Sequence, residues 1–206
     1  MTAPYPSEPR RVTQVSACQT GTCVCELNNL MRVLWEQHAT WTRMAIVSIA
    51  QRLPDEAETI KRLLRNPGDI AAMFRPMYGG CVADRVNTLI TQHLSIAADL
   101  VKAAKAGNGP AAAEIERRWY ANADEMAAFL SFINPYWSRE AMTNMWHEHL
   151  SLVKAQAVMM LNKDYAGAVA VYDQGESLLL AMADDLTCGI IKQFALPQAC
   201  CRTVGL

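Results

Sequence analysis

The sequence predicts an all-α fold, an antiparallel up-and-down helical bundle of five long helices plus a broken helical pair. Three observations carry this expectation. Apolar residues recur at helical spacing through each long segment. Proline, glycine and asparagine clusters punctuate the chain between those segments and leave short connections. No stretch alternates apolar and polar residues between hairpin turns, as strands would. Short connections between helices of similar length favour antiparallel neighbours.

The first helix is expected over about 27–53, with Leu27, Leu30, Leu34, Trp41, Ala45 and Ile49 on one stripe. Pro54-Asp55-Glu56 ends it and opens the next, because proline and acids suit a first helical turn. Residues 55–78 read as two shorter helices, broken at Asn66-Pro67 and stopped near Pro76, with Gly79-Gly80 behind them. A long helix over about 81–106 ends in Gly107-Asn108-Gly109. Pro110 opens the next, about 110–133, and Asn134-Pro135 stops it. Ser138 is placed to cap a helix over about 139–162, and Asn162-Lys163-Asp164 turns into the last, about 165–194. The chain then divides into an irregular Cys-containing N-terminal tail (1–25), a helical bundle domain (26–195) and an irregular Cys-containing C-terminal tail (196–206). If the broken pair crosses the bundle lengthwise, six alternating passes bring both tails to one end. If it caps the bundle instead, the tails separate.

Composition narrows the function classes. The 206 residues are 51% hydrophobic, enough to fill a sizeable core. The net charge of −1, from 19 basic and 20 acidic residues, gives no electrostatic footprint for nucleic acid or an anionic membrane. No apolar run approaches the roughly 18–20 residues that span a bilayer, and the polar, proline-containing N-terminus lacks a signal-peptide core. A soluble cytoplasmic protein is expected, and the high apolar fraction is compatible with a homo-oligomer.

Seven cysteines need a separate account. Cys18, Cys23, Cys25, Cys200 and Cys201 fall in the tails, and Cys81 and Cys188 in the helical body. Should both tails share one end, Cys81 and Cys188 would lie there too and all seven would form a thiol cluster. The odd count and the missing export signal argue against a secreted disulfide framework. Neither Cys23-x-Cys25 nor adjacent Cys200-Cys201 has the C-x-x-C spacing of a structural zinc site. Reduced tail thiols and a soft-metal or redox site are the two readings.

The histidines carry the most specific signal. His38, His93 and His149 each lie on an apolar stripe and near the middle of a long helix. His147 is two residues from His149, about 200° round the helix, and is expected to be exposed. Helices of similar length packed side by side would hold the three imidazoles at one level. A core-facing stripe covers roughly 100° of a helix, so one such histidine is unremarked, but three at one depth call for a joint explanation. Each could be a hydrogen-bonded core residue. Together they could form a mononuclear metal site, since neutral imidazole is the commonest metal ligand and unpaired burial costs about 1–3 kcal/mol per group.

The surrounding residues select among metals. Glu-x-x-His, the di-iron bundle motif, is absent: Trp35, Ile90 and Trp146 stand three residues before the histidines. His-x-x-x-His and H-E-x-x-H are absent too. One histidine from each of three helices suits zinc or copper ahead of iron or manganese. Glu176, which interrupts the stripe Val169, Tyr172, Leu179, Ala183 and Ile190, is the expected fourth ligand, with Asp173 the alternative. Asn122 shares a face with Trp119 and Met126 and is the expected outer partner of a ligand. Glu36 and Gln37, flanking His38 at other angles, and Glu148, beside His149, complete the outer candidates. The eleven methionines are scattered among core positions and read as packing. No phosphate loop, nucleophile elbow or dinucleotide fingerprint occurs.

Six segments also carry a resemblance: LWEQHATWTR (34–43), LLRNPGDIA (63–71), HLSIAADLVKAAKAG (93–107), RWYANADEMAAFL (118–130), INPYW (133–137) and EHLSL (148–152). Together they resemble a group of small uncharacterised bacterial α-helical proteins, over about residues 27–195. The resemblance implies a helical bundle and marks the histidine segments; it implies no reaction. Such proteins sometimes carry the label acetylglutamate kinase. The sequence lacks the alternating strands and glycine-rich loops that label would require, and its cysteine-bearing ends fall outside the resemblance.

Two functional expectations follow. One is a metal-binding bundle with a storage, sensing or structural role, or an open position for catalysis. The other is a metal-free interaction or self-assembly module, with a buried histidine hydrogen-bond layer and cysteine-bearing tails.

Overall fold

The computed structural model describes residues 24–196, and its regular structure there is entirely helical. In order come α1 (Val24–Gln51), α2 (Glu56–Leu63), α3 (Asn66–Tyr78), α4 (Gly80–Lys105), α5 (Gly109–Ile133), α6 (Arg139–Leu161) and α7 (Tyr165–Phe194). The all-α class is as expected. The long helices start and stop where short polar side chains can satisfy their first N–H groups. Asn108 accepts from the Ala111 N–H, Ser138 from Ala141 and Asp164 from Gly167.

Two sequence expectations need correction. The broken pair separates at Leu64-Arg65, and Pro67 lies in the first turn of α3, where its missing N–H costs nothing. Pro76 does not stop α3. It falls in the last turn, and the helix ends at Gly79, whose φ of +82° suits a residue without a Cβ. The stripes also shift: Leu30 and Val169 are 47% and 46% exposed, while their neighbours Met31 and Ala168 are fully buried. Helix α1 packs against α2, α3, α4, α6 and α7, so its buried face is wide and its centre falls beside the predicted line.

Cross-helix contacts fix the directions. Arg32 pairs with Asp184 and Arg43 with the Ala168 carbonyl, so α1 and α7 run antiparallel. Arg85–Glu125 and Asn122–Leu89 show the same for α4 and α5, and His147–Asp124 and Lys154–Glu116 for α5 and α6. His38 meets both His93 and His149, and Lys105 reaches the Ile49 carbonyl, so α1 and α4 run in parallel. Trp35–Trp146 and His38–His149 make α6 parallel to them. The pair α2–α3 runs from the Gln51 end of α1 to the Gly80 start of α4. There Tyr78 donates to Gln193 and accepts from Asn134, binding the ends of α3, α5 and α7.

The core is continuous, with Trp35, Trp119 and Trp146 among its largest fully buried side chains. At the Tyr78 end Trp137 donates to the Asp185 carbonyl and lies so close to Gly189 that a Cβ there would collide with the indole. Cys81 and Cys188 are exposed free thiols. Cys25, in the first turn of α1, is disulfide-bonded, which departs from the reading of reduced tail thiols. Cys18, Cys23, Cys200 and Cys201 lie outside the described residues, and with them the expected thiol cluster. Among the described residues, no helix is long and apolar enough to cross a membrane.

Candidate metal centre

Because α1, α4 and α6 run parallel, residues at equal depth on the three helices form layers across the bundle. One layer is His38, His93 and His149, which are 0%, 1% and 2% exposed. Their ring centroids lie 5.7–6.4 Å apart. One ring nitrogen from each falls within 4.8 Å of the other two. Metal–nitrogen bonds of about 2.0–2.1 Å at tetrahedral angles need nitrogens roughly 3.4 Å apart, so an ion would draw the rings inward by about 1 Å.

Two of the rings are held by the same device. Asn66, at the start of α3, donates from Nδ2 to the Leu34 carbonyl (2.8 Å) and places Oδ1 3.0 Å from His38 Nδ1. Asn122, on α5, donates to the Leu89 carbonyl (3.2 Å) and places Oδ1 3.3 Å from His93 Nδ1. In each case the carbonyl belongs to the residue four before the histidine. A carbonyl can only accept, which fixes the amide orientation; Oδ1 then requires the proton on Nδ1. Each Nε2 is left with the free lone pair, and His38 Nε2 has no hydrogen-bond partner among the described residues.

His149 lacks such a clamp, and its Nδ1 is buried without a partner among the described residues. The clamping asparagines follow their histidines by 28 and 29 residues. At the same spacing His149 finds Ser177 and Leu178. Ser177 is exposed and donates to the Asp173 carbonyl, so the third ring is positioned by its neighbours alone. Trp146 meets His93 (5.4 Å) and His149 (6.0 Å) edge-to-face, Trp35 lies 5.4 Å from His38, and Trp119 lies 5.3 Å from His93.

This apolar box keeps the imidazoles neutral. Burial pushes His38 down to about 4 against the Asn66 bond, which acts the other way. Burial, with the nearby His38 adding to it, takes His93 to about 3. His149 is lowered by burial and by both neighbouring histidines. All three therefore offer lone pairs at neutral pH, with no proton to displace.

The expected carboxylate ligands are elsewhere. Glu176 accepts from Tyr172 (3.1 Å) in the α1–α7 seam, near Thr40 and Glu36, and Asp173 is exposed. Neither joins the histidine group. Burial, and the adjoining Glu176 against a Thr40 bond, raise the Glu36 carboxyl. Gln37 accepts from Arg62, and Glu148 is exposed, so only Asn122 of the outer candidates touches a histidine. Asn66 escaped the sequence reading because Asn-Pro reads as a helix break. The signal that finds it is the recurrence of asparagine 28–29 residues after a core histidine.

The molecule is thus an all-α protein with a buried three-histidine group suited to a metal ion. No protein-family model, curated protein or solved structure matches the chain. Its chemistry is accordingly read from its own residues.

Proposed function

We propose that this protein binds one transition-metal ion through His38, His93 and His149. The carrying observation is the paired clamp: Asn66 and Asn122 each select the Nδ1-protonated tautomer and leave the Nε2 lone pair free, in rings that offer one nitrogen each within 4.8 Å of the others. A hydrogen bond from the second ring nitrogen is the usual support of a metal-ligating histidine. Three imidazoles without a carboxylate favour zinc or copper over iron or manganese. The fourth position then falls to water or an incoming ligand, so binding, sensing and Lewis-acid chemistry all begin from the same centre. A metal-free polar layer accounts for the two asparagine bonds. Among the described residues it leaves His38 Nε2 and His149 Nδ1 buried and unpaired, at about 1–3 kcal/mol each.

The test is elemental analysis of untagged protein purified without chelator, beside His38→Ala/His149→Ala, with both also made cysteine-free. Near-stoichiometric metal in the cysteine-free parent, absent from a still-helical double variant, is the expected result. A parent that takes up no zinc, copper, iron or manganese on reconstitution overturns the reading and leaves the metal-free module.

A further inference from the structure

Directly beneath the histidines lies a partly open cavity of about 120 Å³, lined by α1, α4, α5 and α6 and by Leu63 of α2. Its position follows from the parallel helices. Thr42, Ala97 and Val153, each four residues after a site histidine and so one turn further along, form its upper lining. Trp119, packed on His93, is part of the wall. Below, the lining is aliphatic, including Ile46, Val101 and Ala157. Outward it reaches half-exposed Val158 and the Glu116–Lys154 ion pair, which joins α5 to α6 at the surface.

Apart from that ion pair at the mouth, two lining residues carry polar atoms, Thr42 and Trp119, both on the side of the histidines. Thr42 is 9% exposed, and its Oγ1 has no hydrogen-bond partner among the described residues. The Trp119 indole N–H, 1% exposed, is likewise unpaired. Buried donors left unpaired are costly, and most native ones are satisfied. Both residues line the cavity, and a turn of the Thr42 side chain about χ1 would bring its hydroxyl into that space. An apolar cavity of about 150 Å³ admits a benzene-sized molecule, so this one suits about five or six heavy atoms.

We propose that the cavity is a binding chamber for a small neutral molecule with an apolar body and one acceptor oxygen, such as a short ketone or alcohol. Its oxygen is held by Thr42 beside the histidine layer. This deepens the metal-site reading and rests on it for one part: the bound oxygen would lie beside the histidines that would hold the ion. Charged ligands are excluded because nothing in the aliphatic floor compensates a charge.

The probe is 3-pentanone, with n-pentane as the hydrocarbon control, titrated into the full chain by calorimetry or NMR. The expected result is saturable one-to-one binding of the ketone. Thr42→Val, close to isosteric, should weaken the ketone roughly five- to tenfold and leave pentane unchanged, as loss of one hydrogen bond predicts. Ala157→Leu, which fills the floor, should abolish both, and Ala97→Val provides a second filled variant if the first does not fold. No saturable binding, or binding indifferent to the filled variants, overturns the proposal. A repeat with cobalt(II) separates the two readings. A ketone-dependent change in the cobalt visible spectrum supports the link to the ion. An unchanged spectrum with ketone bound removes that link. Ketone binding by a protein that takes up neither cobalt nor zinc, copper, iron or manganese sinks the metal site and leaves the chamber standing.

Discussion

His38 and His93 on one side, and His149 on the other, occupy the same layer and are equally buried, yet are held differently. The first two are locked by asparagines that also grip the backbone four residues before them. The third is bounded by rings alone, with Nδ1 unpaired. The difference teaches that burial and orientation are separate achievements. Packing removes a ring from water; only a directional bond selects its tautomer. Two aimed nitrogens and one adjustable ring suit a site whose nitrogens must close by about 1 Å on an ion.

The largest expected effect comes from breaking a locked arm outright. His93→Ala should abolish stoichiometric metal binding while the far-ultraviolet circular dichroism stays helical; retained stoichiometry would remove His93 from the site. Cutting the clamps is next. Asn66→Ala or Asn122→Ala should weaken zinc or copper binding roughly 10–100-fold in competition titrations. Each should also destabilise the fold by about 1–3 kcal/mol in urea melts, because a buried ring N–H loses its acceptor. Ser177→Ala, at the corresponding spacing from His149, should do neither, and a loss there would erase the contrast.

Acid sharpens the comparison from another side. The folded-state values of these histidines lie below the unfolded value of about 6.5, so between the two the unfolded chain binds more protons. Their contribution to stability is therefore intact above pH 6.5 and declines as pH falls toward about 4. For metal-free protein, urea melts at pH 7 and pH 4.5 should differ by less in His38→Gln than in the parent. An equal difference would show that His38 does not resist protonation. The smallest effect is expected from Leu178→Asn, which offers an acceptor at the missing clamp's register. It should tighten metal binding no more than several-fold, and a loosening would mean that His149 must stay adjustable.

The helices were legible because Pro110, Ser138 and the Asn162-Lys163-Asp164 turn mark starts that depend on neighbouring residues alone. The histidine layer was legible for a related reason: mid-helix position fixes depth once helices are parallel and similar in length. Glu176 was misplaced because one helix's periodicity fixes a face only to within its wide apolar stripe. That stripe spans both the centre of the bundle and the α1–α7 seam, where Glu176 meets Tyr172. Asn66 was hidden by its own backbone role, since the break it announces also delivers its side chain to the middle of α1. The cavity had no sequence signal, being made mostly of small and aliphatic side chains on five helices.

The spacing of the clamps has a consequence for the order in which the chain is built. Each asparagine bond closes within 28 or 29 residues, inside adjoining helices, so its loop-closure entropy is modest and it belongs to the contacts that form early. His149 arrives on a later helix, after both locked histidines have been synthesised. A growing chain that ends before α6 has two aimed nitrogens and no third. On the proposed reading, full-affinity capture of an ion would wait until α6 joins the bundle, and synthesis from the N-terminus would time the loading of the site.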